Sequence, residues 1–170
     1  MDIGCGNGEI SDFFSLNNDL YAVDVSDQRR NLNPVVKFTL VEFEKLPFDS
    51  NFFDIVISNQ VIEHLDEQDM HMREIKRILK KEGICYMATP NKTSPIMEGH
   101  KGNPRVLKYN DLLRLFKRNE FHYYEYSTEI LKDPSKYYSE IKLLKNIPKF
   151  ILNKLIYIFP SNIFILKGKS

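Results

Sequence analysis

At 170 residues, 42% hydrophobic and with a formal net charge of +1, the chain has the size and apolar content of one globular domain and is too short for two full ones. Its two cysteines, Cys5 and Cys85, are far apart and outside any metal-binding spacing, which argues against a disulfide framework or a zinc site and fits a reducing cytosol. Neither a signal peptide nor a membrane span is expected: no basic segment opens an apolar run at the start, and "IPKFILNKLIYIFPSNIFIL" is interrupted by Lys149, Asn153, Lys154 and Pro160.

The chain opens on "MDIGCGNG", a scrap of strand followed by glycines at 4, 6 and 8. Ile10, Phe13, Phe14 and Leu16 then recur at helical spacing, which predicts a helix from about Gly8 with that face packed inward. "LYAVDV" reads as a buried parallel strand ending in an acid, with "VKFTLVEF" and "FDIVISN" as the next two strands. The Pro, Asp, Ser and Asn of "EKLPFDSNF" form the loop between them. Residues 66–81 place Met70, Ile75, Ile78 and Leu79 on one helix face, with Asp66 as N-cap and Gly83 as the stop.

"ICYMATPN" is a strand halted at Pro90, and residues 91–108 form a loop too long for a plain connector. Asn110 is placed to cap "DLLRLFKR", and "FHYYEYS" follows as a strand. From about 135 to 159 the apolar residues Ile141, Leu144, Ile147, Ile151, Leu155 and Ile158 recur at threes and fours, with Pro148 dividing the helix. "NIFILKGK" closes as a strand that pairs antiparallel with its predecessor. Strands alternating with helices predict an α/β sheet.

Three glycines between a strand and a helix start mark a sharp turn where bare backbone approaches a ligand. The spacing is GxGxG; Glu9 stands where a nicotinamide-binding GxGxxG loop has its third glycine. Asp24, at the end of the second strand, supplies a carboxylate that can accept both hydroxyl hydrogens of a ribose. Together they describe a nucleotide-type site.

On these residues the chain resembles the class I S-adenosylmethionine-dependent methyltransferases: "MDIGCGNGEIS" is similar to their first motif and "YAVDVS" to their second. "VEFEKLPFDSNFFDIVISNQVIEHL" is similar to their adenine loop and fourth strand, and "EIKRILKKEGICYMATPN" to the following helix and strand. The likeness is to the small-molecule, lipid and glycan methyltransferases, including the ubiquinone-type O-methyltransferases. It implies a Rossmann-like, seven-stranded sheet with helices on both faces and a truncated first strand, since only Met1, Asp2 and Ile3 precede the loop. Residues 1–170 then form a single domain. Residues 1–90 are its cofactor half and 91–170 its acceptor half, with a helical lid over about 135–159.

The resemblance implies that Gly4, Gly6 and Gly8 line the methionine and ribose portions of S-adenosylmethionine, with Asp2 ordering the loop. Asp24 would hold the ribose hydroxyls and Val25 would pack on the adenine. Glu42 stands where the family has an aspartate that reaches the adenine amino group, and the backbone of Phe43 would address the ring nitrogen. Asn59 and Gln60 would lie under the methionine, near the acceptor. Methyl transfer from a sulfonium depends chiefly on alignment, and an oxygen acceptor gains from a base, for which His64 is the candidate. The plain alternative for His64 is a helix-start residue that packs locally. Gln60, Glu63 and His64 are similar to a Glu-x-x-Glu-His metal pattern, but an amide is a poorer ligand than a carboxylate, so no metal is assigned.

His100 and Arg105, in the long loop, are weighed as acceptor contacts against plain solvent exposure. Lysines 142, 145, 149 and 154 flank the apolar stripe of residues 137–159, which would cover the acceptor pocket or touch a membrane surface or lipid-linked substrate. A second reading is a non-catalytic, cofactor-binding remnant. A third, a nucleic-acid methyltransferase, ranks below both. It rests only on residues 71–170 carrying 20 Lys and Arg against 9 acids, where residues 1–70 carry 4 against 14. The expected protein is a cytoplasmic methyltransferase whose acceptor is a small molecule, lipid or glycan.

Overall fold

Short runs of Val, Ile and Phe that bury both faces favour parallel pairing in the middle of a sheet. The structure, a computed structural model, describes residues 1–30, 32–42, 45–92, 102–127 and 161–168. Its strands are β1 (Asp2–Ile3), β2 (Tyr21–Asp24), β3 (Lys37–Leu40), β4 (Phe53–Asn59), β5 (Leu79–Pro90), β6 (Phe121–Ser127) and β7 (Ser161–Gly168). They form one seven-stranded sheet of order β3-β2-β1-β4-β5-β7-β6. β1 to β5 run parallel, and β7 is antiparallel to both β5 and β6. The strand order reverses between β1 and β4, the place where an open α/β sheet leaves a crevice at its carboxyl ends.

Three helices are described: α1 (Glu9–Ser15), α2 (Gln68–Ile78) and α3 (Tyr109–Arg118), with a one-turn 3-10 helix at Ile62–His64. Register assigns them to faces. Asp2 lies opposite Ile57 on the α1 side, whereas Ile3 lies opposite Ser58 on the side of α2 and α3. That second side holds the main core, where Ile3, Val56 and Met87 meet Met72, Ile75, Leu112 and Phe116. On the α1 side a groove of about 670 Å³ runs over the sheet, lined by Ile10, Phe14, Ile55, Ile57, Ile84 and Tyr86 and reaching Asn59.

Five local expectations need correction. The face α1 buries is Ser11 and Ser15, while Phe13 and Leu16 stay 75% and 78% exposed and Ile10 and Phe14 edge the groove. Asp2 explains the rotation: its carboxylate is buried and needs a donor, and the Ser11 hydroxyl donates to it at 2.6 Å. In α2 the buried residues are His71, Met72, Ile75 and Ile78, and Met70 is 39% exposed. The residue before that helix is Glu67, without a side-chain cap, because the Asp66 carboxylate is engaged by Arg105.

Gly83 does not end α2. The helix stops at Ile78, and β5 begins at Leu79 and runs through Gly83, where the pairing with β4 shifts register between Phe53 and Ile55. A Cβ there would meet the carbonyl oxygens of Lys80 and Phe53 at 3.0 Å, so a close backbone approach explains the glycine. Asn110 lies inside the first turn of α3, which starts one residue earlier after Lys108. The antiparallel β6–β7 pair is as predicted. Residues 135–159 and His100 lie outside the described residues. Among those described, no helix is long and apolar enough to cross a membrane.

Candidate functional site

The loop after β1 folds against β2: the backbone N–H groups of Gly4 and Cys5 both donate to the Val23 carbonyl, at 2.8 and 3.1 Å. Gly4, Gly6 and Gly8 all have positive φ, at 70°, 53° and 91°. At Gly4 a Cβ would lie 2.5 Å from Cγ2 of Val61, so this turn admits no side chain. At Gly6 a Cβ would meet nothing within 4 Å among the described residues, leaving its backbone bare toward the crevice. Asp2 sits beneath, bonded to Ser11, with its carboxyl raised by burial against the lowering effect of that bond.

Asp24 ends β2 and closes the loop from the other side. Its Oδ2 accepts the Gly6 N–H at 2.8 Å and its Oδ1 accepts the Ser26 N–H at 3.1 Å. The Ser26 hydroxyl also reaches Oδ1, at 3.5 Å. A carboxylate offers about four acceptor positions, so one is left, and a diol would take the second from this long hydroxyl contact. Val25 follows, 59% exposed. Glu42, exposed beyond β3, shares with it a cleft of about 290 Å³ whose other wall is His64, Leu65, Met70 and His71. Phe43 lies outside the described residues.

The floor is the carboxyl end of β4. Gln60 turns the chain with φ of 56°, its N–H donating to the Ala88 carbonyl at 2.9 Å. Asn59 faces the groove on the α1 side, so the structure separates it from the cleft that gathers Val25, Glu42 and His64. The Glu63 carboxylate is fully buried and accepts from the Thr89 hydroxyl at 3.2 Å. The nearby loop is stitched down by Asn103, which donates to the Glu63 carbonyl, and by Arg105, whose guanidinium holds the Asp66 carboxyl below its usual range.

Sequence reasoning missed two groups. Ser58 and His71 form a buried pair, Oγ to Nε2 3.1 Å, linking β4 to α2 one residue before Asn59. The signal was present, since His71 belongs to the stripe of Ile75 and Ile78 at helical spacing. The other is Glu74 with Arg77, an i, i+3 ion pair on α2 at 2.8 Å.

A glycine turn after the first strand, a carboxylate ending the second, and both at the point where strand order reverses define a Rossmann-like site for a nucleotide-containing cofactor. The chain belongs to the methyltransferase domain family, whose pattern matches residues 1–87. Among its relatives, a ubiquinone biosynthesis O-methyltransferase of Pelagibacter ubique is 31% identical over 104 residues, covering 55% of this chain and 42% of the relative. The chain thus spans less than half the length of that protein. An S-adenosylmethionine-dependent methyltransferase from Mesorhizobium loti superposes with a TM-score of 0.70 at 13% identity, over 97% of this chain and 88% of that one. The [4+2]-cyclase SpnF superposes equally well, TM-score 0.70 at 19% identity, over 99% of this chain and 74% of that one. Such likenesses establish the fold, and one fold supports different reactions.

Proposed function

We propose that this chain binds S-adenosylmethionine and transfers its methyl group to the oxygen of a small-molecule, lipid or glycan acceptor. The observation that carries the reading is Asp24, whose carboxylate grips the Gly6 N–H at 2.8 Å while keeping acceptor capacity for a ribose diol. Family membership and the name of the Pelagibacter relative support it. Gly4 and Gly6 present bare backbone to the methionine and ribose portions, Val25 supplies the adenine platform, and Glu42 lines the same cleft beside it. When bound, the cofactor supplies an electrophilic methyl group on a sulfonium, so the protein's contribution is alignment and water exclusion. To residues 137–159, with lysines beside apolar positions, we assign cover of the acceptor pocket, with contact to a lipid surface or lipid-linked acceptor as the second reading.

Calorimetry with S-adenosylhomocysteine tests the cofactor site. Asp24→Ala is expected to weaken binding about a hundredfold, because it removes charge-assisted hydrogen bonds to the ligand and the tie to Gly6 together. Equal affinity of the two chains would take Asp24 out of the site. Absence of binding by the intact chain would overturn the cofactor reading. Binding without transfer to any oxygen acceptor tried is the signature of the cofactor-binding remnant.

We assign the acceptor's proton to His64, exposed at the end of the one-turn helix. His64→Gln should lower turnover of an oxygen acceptor roughly a hundredfold while leaving affinity for S-adenosylhomocysteine within about twofold. Parallel loss of both would make His64 a cofactor contact, across the cleft from Val25 and Glu42.

A further inference from the structure

We infer that Glu74 and Arg77 are positioning residues for the adenine end of the site: from α2 they clamp the loop whose upstream end carries Glu42. The inference rests on the cofactor reading above. The connection from β3 to β4 makes no helix or strand among its described residues, so its peptide groups need partners elsewhere. α2 supplies them. The Leu46 N–H donates to Oε2 of Glu74 at 2.9 Å, and Arg77 Nη2 donates to the Leu46 carbonyl at 2.9 Å, so the N–H and C=O of this buried residue are both read by one side-chain pair. Arg77 Nη1 donates to the Phe48 carbonyl at 2.6 Å.

The pair is itself fixed. Arg77 Nε and Nη2 donate to the two Glu74 oxygens at 2.9 and 2.8 Å, a planar fork that a lysine does not reproduce. The same charge holds the Glu74 carboxyl below its ordinary range. Further along, the N–H groups of Asn51 and Phe52 donate to the carbonyls of Arg77 and Ile78, at 2.9 and 2.8 Å. Upstream, the Val41 N–H is pinned to the Asp24 carbonyl at 2.9 Å. Val41 and Leu46, on either side of Glu42 in sequence, are therefore two fixed points, one on Asp24 and one on α2.

Met70 and His71, on the same helix, line the cleft wall across from Glu42. One rigid element thus sets both sides of the cleft, and the width available to a purine depends on the clamp. A pair that only stabilised the fold would not touch ligand discrimination, and this difference makes the role testable.

The test uses the full chain with Arg77→Met, Arg77→Lys and Glu74→Gln, the last two retaining much of the packing if the first fails to fold. Amide hydrogen exchange without ligand should accelerate at Leu46 and Phe48. Affinity for S-adenosylhomocysteine should fall about tenfold, and its ratio to the affinity for the 6-oxo, inosine-containing counterpart should narrow toward one. Asp24→Ala is expected to weaken both ligands alike and keep their ratio. Unchanged exchange at these amides overturns the clamp, and lower thermal stability with an intact ratio reduces the pair to a fold-stabilising link. If the intact chain binds neither ligand the cofactor reading fails and takes the adenine role with it, whereas exchange still decides the clamp by itself.

Discussion

Gly4→Ala is expected to cost about 2–5 kcal/mol of folding stability and to abolish binding of S-adenosylhomocysteine. Two effects add. An alanine held at φ of 70° meets the left-handed penalty of about 1–2 kcal/mol. Its Cβ would also lie 2.5 Å from Cγ2 of the buried Val61, an overlap that costs about 1–3 kcal/mol when the surroundings must shift. Gly6→Ala shares only the first effect, because its Cβ would meet open space, and should cost about 1–2 kcal/mol. The double variant Gly4→Ala, Val61→Ala isolates the second: relief of the overlap should recover part of the loss at Gly4 and none of the φ penalty. Urea unfolding of the four chains measures this, and equal losses at Gly4 and Gly6 would show that the contact with Val61 plays no part.

The second large effect concerns His71. Burial drives its imidazole down to about 4 from the ordinary 6.5, and the ring is held against Ser58 inside the core. Unfolded, the same group titrates near 6.5. Between these values the unfolded chain takes up a proton that the folded chain refuses, so acidification favours unfolding. The stability is present in full above about pH 6.5, declines as pH falls, and is lower by roughly 3 kcal/mol near pH 4. Asp2 acts in the opposite sense, since burial raises its carboxyl, so the comparison is made against His71→Gln at each pH. The difference in unfolding free energy between wild type and variant should shrink as pH falls from 7 to 4. Curves that stay parallel across that window would show that His71 is protonated in the folded state.

The structure also changes what kind of object α2 is. Its sequence reads as one amphipathic helix packed on a sheet. In the fold it joins β4 through His71 and Ser58, the β3–β4 connection through Glu74 and Arg77, and the loop before α3 through Gln68, which donates to the Arg105 carbonyl at 2.7 Å. Arg118 and Asn119 tie α3 to its Asp69. The helix core is apolar, and its polar positions hold together the loops around the crevice.

Much of the candidate site's backbone geometry was legible because its signals are local. A glycine is required where φ is positive, a carboxylate that closes a strand lies at the sheet's carboxyl edge, and the alternation of strands and helices leaves few topologies. The glycine spacing, Asp24 and the strand sequence through β7 needed no knowledge of distant contacts. What the tertiary structure alone decided depends on partners far along the chain. α1 turned its serines inward because Asp2, buried in β1, required a donor. Gly83 looked like a helix stop and is a close backbone crossing against β4, visible only once the register shift is known. Helical spacing turns His71 inward but names no partner for it or for Arg77, since Ser58 and Leu46 lie 13 and 31 residues away. Backbone conformation is written into residue type at its own position; the partner of a buried polar group is fixed only when the chain has folded around it.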